Sequence, residues 1–127
     1  MKKWFFMFHR ILTILILLGV VVEFYLAGLG TFHAESIQLH VVTGEALWGA
    51  SLVLLVISLI SMAGKRIMVV SLALFVLLFL QSMLVQVRQL FVEALHPVNA
   101  VLIFSVTVYL LMDSFQQSKI SKKVGAP

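Results

Sequence analysis

A chain of 127 residues that is 62% hydrophobic and only 11% charged has too few polar groups to clothe a water-facing surface, because soluble domains run near half apolar with about 25% charged residues. Lipid is therefore the solvent for its outside. The absence of cysteine excludes disulfides, thiolate metal sites and a lipoprotein anchor. The net charge of +4 sits in short basic clusters between apolar runs, a pattern that orients insertion and does not build a phosphate-binding face, so nucleic acid is excluded as a partner.

In chain order, the apolar runs predict four membrane-crossing helices, each near the 20 residues that a bilayer demands. The first covers about 11–30 and carries one acid, Glu23. The second covers about 37–62 and is ended by Gly64-Lys65-Arg66. The third covers about 67–90 and turns polar at Gln86, Arg88 and Gln89. The fourth covers about 97–115 from Pro97, a favoured first-turn residue, and a basic polar tail over 116–127 follows. The connections are short, so sequential helices are expected to be antiparallel neighbours in a single domain. The fold class is thus all-α, an integral membrane up-down four-helix bundle over 1–127.

Orientation follows from the basic residues. A cytoplasmic N-terminus puts Lys2, Lys3, Arg10, Lys65, Arg66, Lys119, Lys122 and Lys123 inside and leaves only Arg88 outside, which satisfies the positive-inside rule. Both termini are then cytoplasmic, in a multi-pass protein of the cell's inner (cytoplasmic) membrane. The basic start followed by an apolar run also has the look of a signal peptide, but the run is long for one and Ala27-Gly28-Leu29 is a poor cleavage site, so the segment is expected to be retained.

The second and fourth helices carry one pattern. From its histidine, one reads HVVTGEALWGASLVLL and the other HPVNAVLIFSVTVYLL. A small residue stands four positions on (Gly44, Ala100), an aromatic eight on (Trp48, Phe104) and a hydroxyl eleven on (Ser51, Thr107). Positions 0, 4, 7 and 11 form one narrow helical stripe. Both histidines stand at the outer start of a helix, at matched depth, on diagonal partners of the bundle. Two inward imidazoles at one depth suit a single iron between them, and imidazole is a standard axial ligand of heme b. Gly44 and Ala100 would let a flat ring lie against backbone, and Arg88 could hold a propionate or equally pair with Glu93 or Glu35 at the rim.

These residues carry a resemblance. IQLHVVTGEALWGASLVLL resembles the histidine-bearing second helix of a heme A synthase half, with its His-x-x-x-Gly followed by small residues. LLFLQSMLVQVRQLFVEALHPVNAVLIF is similar to the third and fourth helices of that half, in which a glutamine-bearing helix leads through a short external loop to a histidine with alanine four residues later. The whole chain also resembles a group of small four-helix bacterial membrane proteins ending in an HPxNA-type helix. The heme A synthase likeness implies His40 and His96 as paired heme ligands. The chain departs from that family in being one half, in having Val41 after His40 where arginine is frequent, and in offering only Glu35 for the acid before the histidine. What the likeness implies is heme binding, not heme A synthesis.

The expected function is that of a bis-histidine b-type cytochrome near the outer face, for electron transfer or heme handling, with quinol or another membrane redox protein as partner. Electron transfer is expected ahead of stand-alone enzymatic activity. Glu23 and Glu45, both roughly 10–12 Å deep, form a candidate proton or quinol site, since acids inside a membrane are costly. They also define a rival reading, a small transporter or proton-coupled protein. A ligand-free accessory subunit is the third. A homodimer would recreate a two-half arrangement. His33 and Glu35 precede His40 in sequence and offer an external metal site with it, though without an obvious fourth ligand, and His9, among aromatic residues, is expected to anchor the first helix at the inner interface.

Overall fold

The computed structural model describes residues 2–32, 37–61, 64–87 and 89–124, and the side chains of these apart from 2, 3, 85, 90 and 117–124. It is helical throughout: α1 Lys2–Thr31, α2 Ile37–Ile60, α3 Lys65–Gln86, the single turn α4 Leu90–Glu93, and α5 Leu95–Val124. Four of these contain spans long and apolar enough to cross a membrane, Trp4–Thr31, Ile37–Ile60, Lys65–Leu84 and Phe91–Gln116. This is the build of a multi-pass membrane protein.

The helix limits run past the apolar segments at both ends of the chain. α1 begins at Lys2 and not near 11, and α5 begins at Leu95 and continues through the polar tail to Val124. Apolar composition marks what lipid covers, whereas the backbone keeps its i→i−4 bonds into the interface, where polar side chains are equally comfortable. Pro97 lies in the first turn of α5, where no N–H partner is lost. Between α2 and α3, Gly64 takes φ +95°, a left-handed conformation that a side chain would penalise, and its carbonyl accepts from Met68 N at 3.2 Å.

α1 packs on α2 and α5, and α3 packs on the same two; among the described residues, α2 does not contact α5 at the backbone, nor α1 contact α3. The interior is made from small hydroxyl residues as much as from aliphatic ones. Thr13, Ser51, Ser58, Ser71 and Thr107 are fully buried beside Ile16, Leu54, Leu74 and Leu110, whereas Trp4, Tyr25, Phe32 and Phe91 are exposed. Lipid is as apolar as leucine, so association relies on close packing and on hydrogen bonds across helices. Ser58 and Ser71 supply one, Oγ to Oγ at 2.9 Å. Gly19 supplies closeness: a Cβ there would stand 2.5 Å from Leu47 Cδ2.

The burial pattern has an internal repeat. Thr13, Ile16, Val20 and Glu23 of α1 correspond to Ser71, Leu74, Leu78 and Gln81 of α3, each 58 positions on. His40, Gly44, Leu47, Ser51, Leu54 and Ser58 of α2 correspond to His96, Ala100, Ile103, Thr107, Leu110 and Ser114 of α5, each 56 positions on. Partners share a burial class in every case. The fold is thus two helical hairpins of one design, α1–α2 and α3–α5.

At the end of the helices away from His40 and His96, arginines tie α5 to its neighbours. Arg10 Nη2 donates to Ser114 O at 2.9 Å with its guanidinium 4.3 Å over the Phe115 ring. Arg66 Nε donates to the Tyr109 hydroxyl and stands 3.5 Å from Asp113 Oδ1. His9 is 3% exposed and so lies inside the helix packing, not at a lipid interface. Its helical phase decides this: it continues the inward stripe of Thr13, Ile16 and Val20.

Because methyl packing outweighs one hydroxyl pair here, Leu54→Ala should cost about 2–5 kcal/mol. The Ser58→Ala, Ser71→Ala cycle should show a coupling of only about 0.6 kcal/mol. Both are measured by unfolding in mixed micelles titrated with denaturing detergent.

Candidate functional site

Helical phase puts His40, in the first turn of α2, and His96, in the first turn of α5, on the buried faces of two helices whose backbones do not touch. Their side chains fill the space between: the ring centroids are 6.0 Å apart, with planes at 73°. The two residues that the sequence pattern paired are thus brought together.

Each ring is held by a polar side chain on the helix before its own. Nδ1 of His40 lies 2.6 Å from Glu23 Oε2 on α1, both side chains about one-sixth exposed. The approach is not aligned as a hydrogen bond, and Glu23 Oε1 is buried without a partner. His96 is held from α3, with Gln81 Nε2 at 3.1 Å from its Nε2. Asn99 orders this second contact by donating from Nδ2 to Leu77 O at 2.9 Å and to Gln81 Oε1 at 2.7 Å. With its oxygen so occupied, Gln81 presents its NH2 to His96, so Nε2 of that ring accepts and the proton of the neutral imidazole sits on Nδ1. That Nδ1 is buried with no partner, and with Nε2 engaged by Gln81 neither nitrogen offers a free lone pair in this arrangement, so metal binding at His96 requires the Gln81 contact to break. Glu23 and Gln81 are repeat-related, so the two halves use an acid and an amide for one task.

The remaining candidates fall differently. Gly44 lies beside the Glu23 carboxylate, where a Cβ would stand 3.7 Å from Oε2; the missing side chain makes room for that carboxylate. Ala100 is half-buried on the same stripe as His96. Glu45 is exposed on the opposite face of α2, and Glu23 is turned to His40, so the two acids do not meet. Arg88, His33 and Glu35 lie outside the described residues. Trp48 stacks on Phe75 of α3 at 6.0 Å and Phe104 meets Phe24 of α1 edge-on at 6.2 Å, so the two repeat-related aromatics brace neighbouring helices instead of facing each other.

Gln81 and Asn99 are the site residues that sequence reasoning missed. A signal was there: Gln81 interrupts an apolar run at the position that Glu23 occupies in the first hairpin.

Among the described residues no group of three His, Asp or Glu side chains is placed to hold a bare metal ion. The donor set is two imidazoles. Two imidazoles bound to one metal at roughly 2 Å per nitrogen put their ring centres about 6 Å apart, which the observed spacing matches. A carboxylate behind Nδ1 of His40, leaving Nε2 free, is the usual support of a metal-ligating histidine.

Gln81→Leu should lower stability by about 1–3 kcal/mol, because it strips partners from both His96 and Asn99 in a buried setting. Gly44→Ala should be near neutral, since 3.7 Å is ordinary contact. Detergent-denaturation midpoints distinguish the two outcomes.

No curated protein and no solved structure matches the chain. Residues 23–88, just over half of it, match the sequence model of a family of unknown function, DUF6220. The matched stretch runs from Glu23 through His40, Gly44 and Gln81 to Arg88, and stops short of His96. The chain belongs to the DUF6220 family.

Proposed function

We propose that this protein is a membrane cytochrome of the b type, holding one heme between His40 and His96. The observation that carries the reading is the meeting of two imidazoles from non-touching helices at a 6.0 Å ring separation. With two side-chain donors and no third among the described residues, the group that fits is one that brings its own equatorial ligands, as a heme does. Heme supplies reversible one-electron chemistry, and two histidine ligands leave no open position for substrate at the iron.

In this reading the chain is an up-and-down bundle with both termini in the cytoplasm, set in the inner (cytoplasmic) membrane with the histidines near its outer face. The supports are the excess of basic residues at the opposite end and the contacts of each long helix with two others. Glu23 orients His40 through Nδ1, and Gln81, which Asn99 fixes, must release Nε2 of His96 for that nitrogen to reach iron. The aliphatic layer of Leu47, Leu54, Leu74 and Ile103 beneath the histidines is nearly or fully buried and closes the bundle below the site. Electron transfer or heme handling follows, with quinol or a membrane redox protein as partner. The resemblance of α2 and of the α3–α5 stretch to heme A synthase halves points to the same ligands.

A second reading rests on Glu23, an acid inside the span with one oxygen on His40 and the other unpartnered. Such a group suits a proton-coupled transporter. It is separable from the first by where loss of function falls.

Expressed with ample heme and purified in mild detergent, the protein should show a Soret band that His40→Ala and His96→Ala each abolish or reduce severalfold. Glu23→Gln should retain heme. A colourless protein, or full heme retention in the double histidine variant, overturns the reading; proton flux in vesicles that Glu23→Gln alone abolishes would establish the second.

A further inference from the structure

We propose that the outward face of α2 is the contact surface between two copies of this chain, paired about a two-fold axis beside Glu45 and Gly49. Glu45, Gly49, Leu52 and Val56 stand at spacings 0, 4, 7 and 11 and therefore form one stripe, about 140° round the helix from the inward stripe that begins at His40. Glu45, Leu52 and Val56 are exposed, and a Cβ on Gly49 would meet nothing within 4 Å.

The acid is what makes this face more than a lipid-facing surface. Glu45 makes no hydrogen bond or ion pair among the described residues. It stands eight residues into α2, roughly 12 Å along the axis. A 24-residue helix is roughly 36 Å long, against about 30 Å of hydrocarbon. Even with equal overhang at both ends, Glu45 lies well below the hydrocarbon edge, where an unsatisfied acid is costly.

Packing within the chain does not demand that acid. The repeat-related position on α5 is Val101, exposed and apolar as lipid requires. The requirement on Glu45 is thus external. A second copy meets it without any new chemistry: across a two-fold axis each residue faces itself at the same depth, so each Glu45 side chain finds the other as its polar partner. Gly49, one turn further in, lets the two backbones approach.

The absence of cysteine from the chain makes the test direct. Gln38, seven residues before Glu45 on the same stripe, is exposed near the helix start. In membranes under mild oxidation, Gln38→Cys should give a disulfide-linked dimer severalfold more than Val98→Cys, which is exposed at the same end of α5. Adding Gly49→Leu, whose Cβ would meet nothing within 4 Å in the single copy, should abolish the crosslink with protein level and helicity unchanged. Glu45→Leu should reduce it severalfold and Glu45→Gln should keep it, since amides also pair with themselves. Adding His40→Ala should leave it intact, so the result stands apart from heme binding. Equal crosslinking at the two cysteines, indifference to Gly49→Leu, or a monomeric chain holding a different protein one-to-one would overturn the proposal.

Discussion

Inside a bilayer, a polar group finds its partner within the protein or pays for its isolation. That constraint organises this chain. The outside is aliphatic and aromatic, and the polar side chains are drawn inward, where small hydroxyls sit in the packing and bond to the preceding turn, as Thr107 does to Ile103 O at 2.7 Å. Apart from Glu45 and His9, the larger polar groups discussed above come in sets that span helices. The set of Glu23, His40, His96, Gln81 and Asn99 joins all four long helices at one end, and the arginine contacts to Tyr109, Asp113 and Ser114 join α1 and α3 to α5 at the other.

The two-hairpin repeat explains why the histidines meet. Each hairpin places a polar residue on its first helix to hold a histidine on its second. Two such hairpins packed against one another bring the histidines to the middle from opposite sides. The halves then differ in detail: the acid stands behind His40, and an amide fixed by Asn99 stands behind His96. A carboxylate beside Nδ1 supports His40 as a donor, whereas the Gln81 amide occupies the Nε2 lone pair of His96, so the two rings are unequal partners to anything held between them.

Much of this was legible in the residues. Four apolar runs mark four spans because length and hydropathy are nearly sufficient to find helices in lipid. The paired histidines were visible because 3.6-residue periodicity places His40 with Ser51 and His96 with Thr107 on one face each. Helix limits were less legible, since Lys2 to Arg10 and Gln116 to Val124 are polar or interfacial yet still helical. The role of Gly44 was also hidden, because nothing in a glycine says which neighbour fills its space; only the structure puts the Glu23 carboxylate there. Gln81 escaped notice for a related reason: an uncharged amide near a helix end carries no alarm until its repeat partner, Glu23, is seen to hold a histidine.

An iron shared by the two imidazoles is measurable through the 73° between their planes in a way that mere heme content is not. Low-temperature electron paramagnetic resonance of the purified ferric protein should show a single low-spin iron per chain, with the strongly anisotropic signal that near-perpendicular imidazole planes produce. A high-spin signal, no heme iron at all, or a low-spin signal unaltered by His96→Ala would contradict it.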